Sequence, residues 1–178
     1  MQPVSQAINI LSYVHNAPRG RVTQMARALV DSGLLPKSSG RAILQMAGGD
    51  LLYLIAAVAF AETVSDAATV ARQVAELPMG GEVGAMTFRD AFGCMMKPDA
   101  TLADVEIGLV KNGYTAKMVF NVPKDGEKVE LTASFWTAKS WGGWTKKSFV
   151  LSREGVEIMS NLFNRDDNAG MVYKVVAD

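Results

Sequence analysis

Apolar residues recur at helical spacing through the first part of the chain and switch to alternation in the second. Ala7, Ile10, Leu11 and Val14 mark one helical face, and Val22, Met25, Ala26, Leu29 and Val30 mark another at i, i+3, i+4, i+7 and i+8. Arg21, Gln24 and Arg27 are left on the polar side of that second helix. Beyond Gly33 and Pro36, Ser38 or Ser39 can cap a third helix that reaches Ala47 and carries Arg41 in its first turn. Leu51 to Ala61 is apolar around its whole circumference, which predicts a buried central helix with Asp50 capping its start. The run is far shorter than the roughly 20 residues needed to cross a bilayer. A fifth helix is expected from about Asp66 to Leu77, with Ser65 as cap and Val70, Val74 and Leu77 on one face, until Pro78 and Gly80-Gly81 stop it.

The period then changes from 3.6 to 2. Val105, Ile107 and Leu109 alternate with polar or small residues, Asn112-Gly113 supplies a tight-turn signal, and Tyr114, Ala116, Met118, Phe120 and Val122 follow on one face. Asp125-Gly126 offers a second turn before Val129, Leu131, Ala133 and Phe135. Two-residue loops at both turns would set 109 opposite 116, 107 opposite 118 and 105 opposite 120, then 122 opposite 129, 120 opposite 131 and 118 opposite 133. A fourth strand from Lys146 to Leu151 extends this meander. Ser152 then caps a helix to about Phe163, whose Val156, Met159 and Phe163 are expected to cover the apolar face. The predicted fold class is α+β: an N-terminal helix-turn-helix-like unit over residues 1–78, then an antiparallel sheet plus helix over residues 84–178. The boundary falls at Met79 to Val83, with a separate core on each side.

At 178 residues and 49% hydrophobic content the chain can bury a core and is not of disordered composition. Eighteen Lys and Arg balance eighteen Asp and Glu, so no global field attracts nucleic acid. The charges are unevenly placed, however: up to Asp50, Arg19, Arg21, Arg27, Lys37 and Arg41 face only Asp31 and Asp50. A single Cys94 excludes an intrachain disulfide, and without a signal-peptide pattern the expected setting is the cytoplasm. His15 is the one histidine, so no His/Cys metal site can be built in one chain. Glu154, Glu157, Asp166 and Asp167 read as solvated helix and loop. No nucleophile elbow, phosphate loop or dinucleotide fingerprint is present, which argues against an enzyme and for no cofactor.

The segment ALVDSGLLPKSSGRAI resembles the N-terminal helical elements of small phage-derived and gene-transfer-agent regulators, over about Val22 to Met46. That resemblance implies binding of double-stranded DNA and control of transcription or phage-type genes, with Lys37 through Ala47 as recognition helix. The chain departs from the pattern at Asp31 to Lys37, which is longer than the usual turn of three to four residues. The expected DNA contacts are Arg19, Arg21, Gln24, Arg27, Lys37, Ser38, Ser39, Arg41 and Gln45. One short recognition helix supplies few contacts, so a homodimer is expected. Trp136, Trp141 and Trp144 form an aromatic cluster able to meet a partner or a ligand, and Met86, Phe88, Phe92, Cys94, Met95 and Met96 a soft apolar one. The competing reading is a protein-interaction module, a phage-type inhibitor or adaptor that does not bind DNA. A small-ligand sensor using the tryptophans is a third.

Overall fold

The computed structural model describes residues 2–37, 45–82, 84–95, 101–124, 127–137 and 147–151. The chain enters through a two-residue strand, β1 (Gln2–Pro3), and the helix α1 (Val4–Val14), which buries Ala7, Ile8 and Leu11. At the end of α1, Asn16 takes a left-handed φ of 47°. The Asn16 and Ala17 N–H groups bond back to the Tyr13 and Ser12 carbonyls at 3.1 and 3.0 Å. This is the Schellman arrangement, with Asn in the position that glycine more often fills. Pro18 then opens α2 (Arg19–Asp31), whose buried face is Val22, Met25, Ala26 and Leu29, as the spacing predicts. Gly33, at φ 75°, closes α2 in the same manner, with Leu34 N–H donating to the Leu29 carbonyl at 2.9 Å.

The next element differs from expectation. Gln45–Met46 is not the end of a third helix but a strand, β2, paired antiparallel with β1 through Gln2↔Met46 and Pro3↔Gln45. Met46 is fully buried, and Gly48 already opens the following helix, so a helix continued through Ala47 would have to merge with its successor. That helix, α3 (Gly48–Phe60), buries ten of its residues on all sides. It is followed by α4 (Ala67–Ala75), which presents Ala67, Val70, Ala71, Val74 and Ala75 inward. The residue before α4 is Asp66 rather than Ser65, its side chain makes no capping bond to the helix, and Thr63 holds it in the preceding turn. The Asp66 N–H donates to the Thr63 hydroxyl at 3.3 Å, and that hydroxyl donates to the Asp66 carboxylate at 2.6 Å. Thr87 and Asp90 repeat the device at α5 (Phe88–Met95), an element that the alternating and helical patterns alone leave unassigned. It divides the predicted Met/Phe cluster: Phe88 and Phe92 are buried, whereas Met86 and Cys94 are exposed.

The four remaining strands are β3 (Thr101–Val110), β4 (Gly113–Lys124), β5 (Glu127–Trp136) and β6 (Lys147–Leu151), antiparallel in the order β5-β4-β3-β6. The second hairpin has the predicted register, with Val122↔Val129, Phe120↔Leu131 and Met118↔Ala133. The first does not. Val110 pairs with Gly113, so Lys111-Asn112 is the loop, and Leu109, Ile107 and Val105 oppose Tyr114, Ala116 and Met118. Moving the turn by one residue changes each pairing by two and leaves every side chain on its own face. Hydrophobic alternation is therefore blind to the difference, and the turn and a bulge between Leu102 and Asp104 decide it. The helix expected from Ser152 to about Phe163 lies outside the described residues.

Helices and sheet share one core. Phe60 of α3 meets Tyr114 edge-on at 5.5 Å between ring centroids, and Phe88 of α5 stacks at a tilt on Phe135 of β5 at 5.1 Å. Burial, then the nearby Glu62 carboxylate, pushes the Tyr114 phenol pKa up. The segment expected to divide two domains is itself stitched in. Gly80 N–H donates to the Ser134 carbonyl at 2.9 Å, Trp136 N–H to the Pro78 carbonyl at 3.2 Å, and Phe88 N–H to the Leu77 carbonyl at 2.8 Å. The buried side chains on both sides of residues 79–83 belong to one cluster, in place of the separate cores expected. Coverage stops short of one end of the sheet: on the helix-facing side Val129 and Leu131 remain 36% and 43% exposed.

Phe88→Ala removes the ring that joins α5 to β5 and should cost about 3–5 kcal/mol. Because the core is continuous, helical circular dichroism and tryptophan emission should be lost in one coincident thermal transition. Two separated transitions, only one of them shifted, would show that the halves fold independently.

Candidate nucleic-acid interface

Of the described Lys and Arg residues before Asp50, Arg19, Arg21 and Arg27 lie on α2 and Lys37 lies beyond it. A four-residue connection, 15–18, joins α1 to α2, and the two helices pack together. That length matches the helix-turn-helix connection which the longer Asp31 to Lys37 segment does not. The side of α2 opposite its buried face carries Gly20, Gln24, Arg27 and Asp31, with Arg19 on one flank, all of them exposed. On α1 the exposed residues include Ser5, Gln6, Asn9 and Tyr13, the last 68% accessible. Pro18 supplies no side-chain cap to α2, so no protein acceptor of that kind covers the partial positive charge of its first turn.

The predicted DNA-contact residues are brought together only in part. Arg19, Gln24 and Arg27 share the exposed surface of α2. Arg21 is directed elsewhere: its Nη2 donates to the carbonyls of Ala61 and Glu62 at 2.7 and 3.2 Å, capping the C-terminal end of α3. Lys37 is exposed in a non-helical segment after Pro36. Gln45 sits in β2, opposite Pro3, rather than on a recognition helix. Ser38, Ser39 and Arg41 lie outside the described residues.

A second charged cluster escaped the sequence reading. Asp50 Oδ2 accepts the Ala47 N–H at 3.0 Å at the start of α3, while its Oδ1 pairs with Arg89 Nη2 of α5 at 2.9 Å. The Arg89 guanidinium also lies over the Tyr53 ring, 5.3 Å from its centroid. The Asp50 hydrogen bond raises the Arg89 pKa further. Gly49 and Gly93 permit the approach, since a β-carbon at Gly93 would stand 3.2 Å from the Gly49 nitrogen. The arrangement locks α5 to α3. Its sequence signal is slight, because Asp50 and Arg89 are far apart in the chain.

Of the tryptophan cluster, Trp136 is described, while Trp141 and Trp144 fall outside the described residues. Trp136 is half-buried on the sheet face turned away from the helices, which it shares with Thr115, Lys117 and Ser134. Its indole packs on Gly81, where a β-carbon would collide with the ring. The Pro78 to Gly81 segment thus clasps Trp136: the Trp136 N–H donates to the Pro78 carbonyl, Gly80 N–H donates to the nearby Ser134 carbonyl, and the indole lies on Gly81.

Gly80 and Gly81 both have left-handed φ, at 64° and 74°, but only Gly81 lies under the indole. Gly80→Ala should therefore cost about 1–2 kcal/mol of backbone strain. Gly81→Ala should cost more and shift tryptophan emission, as read by thermal melts and fluorescence; equal losses from the two would remove the clasp. Among the described residues no helix is long and apolar enough to cross a membrane. No family model matches the chain, and neither a curated protein nor a solved structure matches it.

Proposed function

We propose that this protein is a non-catalytic DNA-binding regulator of transcription or phage-type genes that reads duplex DNA through α2. The observation that carries the reading is the pairing of α1 with α2 across a four-residue connection, with Arg19, Gln24 and Arg27 exposed on the second helix. A helix of this width enters the major groove, where Arg pairs with guanine and Gln with adenine. Arg19, beside the uncapped first turn of α2, suits a backbone phosphate. The recognition role thus moves from Lys37 through Ala47 to α2. The protein acts as a homodimer, because a single short helix contacts too few bases for a specific site.

The test is a gel shift of the whole chain with genomic fragments across a salt series, since the helices share their core with the sheet. For about four phosphate contacts, affinity should fall by roughly two orders of magnitude between about 50 and 200 mM salt. Arg27→Ala should cost about 1–3 kcal/mol and relax sequence preference, whereas Arg19→Ala should weaken all sequences alike. No retention at the lowest salt would reject the reading. It would favour the protein-interaction module instead, which one observation supports: Val129 and Leu131 are exposed along β5, an edge strand whose described backbone partner, Pro78 to Gly80, reaches only its C-terminal end.

A further inference from the structure

We propose that the sheet face turned away from the helices holds a binding site for a nucleobase, with guanine the best-matched base. A cavity of about 310 Å³ opens there, lined by Glu106, Gly108, Thr115, Lys117, Ser134 and Trp136. That volume is at the small end of ligand pockets and suits a single base with its sugar outside. The sheet register explains why the depression exists. Gly108 of β3 lies directly opposite Thr115 of β4, which in turn lies opposite Trp136 of β5. The row therefore runs from no side chain, through a short hydroxyl, to an indole wall. The wall is held in place before any ligand arrives, by the Pro78 and Gly80 backbone bonds and by the close packing of Gly81. A pre-formed aromatic face lowers the ordering cost of stacking a flat ring.

The next row supplies the polar edge. Glu106 and Lys117 are direct cross-strand partners, and Lys117 is opposite Ser134 on its other side. Opposed charges at such a position are placed to pair. Yet both are exposed, and among the described residues neither makes an ion pair within 4.0 Å, while such pairs form at Asp50–Arg89 and Arg72–Glu76. The carboxylate and the ammonium are thus side by side and available. Guanine offers the complementary edge: its N1–H and N2–H donors lie together and suit a carboxylate, and the adjacent O6 suits an ammonium. Adenine places the N1 acceptor where guanine has a donor, against the Glu106 charge. Thr115 and Ser134 can serve either base, so they contribute affinity without choosing. None of these residues belongs to α2, and the site stands whether or not the protein binds DNA.

Equilibrium dialysis of the full chain against guanosine and adenosine tests the assignment. Saturable binding of guanosine with a dissociation constant below about 1 mM is expected, with adenosine weaker by about tenfold or more. Glu106→Ala should weaken guanosine by about tenfold or more and leave adenosine unchanged. Because Glu106 is exposed, its thermal melt should match the parent, which separates loss of the site from loss of the fold. Absence of saturable binding by either nucleoside would overturn the proposal. Guanosine affinity unaffected by Glu106→Ala would do the same by locating the ligand elsewhere, and equal affinity for the two nucleosides would reject guanine as the matched base.

Discussion

The all-round apolar surface of α3 is the constraint on which the other elements depend. A helix with Leu51, Leu52, Leu54, Ile55, Ala56 and Ala57 buried at successive angles has no side to give to water. It must be enclosed, and α1, α2, α4 and α5 pack against it while Phe60 reaches Tyr114 of the sheet. Burying such a helix leaves its polar ends as the difficulty, because terminal backbone groups without partners cost several times what a formed hydrogen bond contributes. Both ends are met by charged side chains, one from a neighbouring helix and one from α3 itself. Arg21 of α2 donates to the carbonyls at the C-terminal end, and Asp50, itself held by Arg89 of α5, accepts at the N-terminal end.

This arrangement divides the arginines of α2 by role. Arg21, Gln24 and Arg27 all lie off the buried stripe and look alike in a helical projection. The end of α3 happens to pass Arg21 alone, and its guanidinium is used in holding two helices together. Gln24 and Arg27 point into solvent. A surface available to a phosphate or a base edge is what remains after the internal carbonyls have been satisfied.

The sheet shows a similar division between its faces. One face is filled by Val105, Ile107, Tyr114, Ala116, Met118 and Phe135 and belongs to the core. The other carries Glu106, Thr115, Lys117 and Ser134 beside the buried Val110 and Val119, with Gly108 and the clasped Trp136 shaping its depression. The clasp comes from the Pro78 to Gly81 segment, which at once continues the β5 edge and leads into α5. The link between helices and sheet and the wall of the outer cavity are therefore the same piece of chain.

Much of the fold was legible in local pattern. The buried stripes of α1, α2 and α4, the central position of α3, the α+β class and the apolar face of the meander all follow from periodicity, since a helix or strand must bury the side on which its apolar residues fall. The second hairpin register was legible because its turn and its strands agree. Periodicity is silent where two solutions bury the same residues: the first hairpin could slip by one turn residue with no side chain changing face. It is silent too where a short segment is decided by a distant one, as when Gln45–Met46 pairs with Gln2–Pro3 instead of ending a helix. The candidate site divides along the same line. Sequence alone placed Arg21, Gln24 and Arg27 on the polar side of one helix, because that is a matter of spacing within a single element. The capture of Arg21 by α3, the cavity between Glu106 and Trp136 and the single continuous core were decided only by tertiary structure, because each depends on which remote backbone or side chain the folded chain brings alongside.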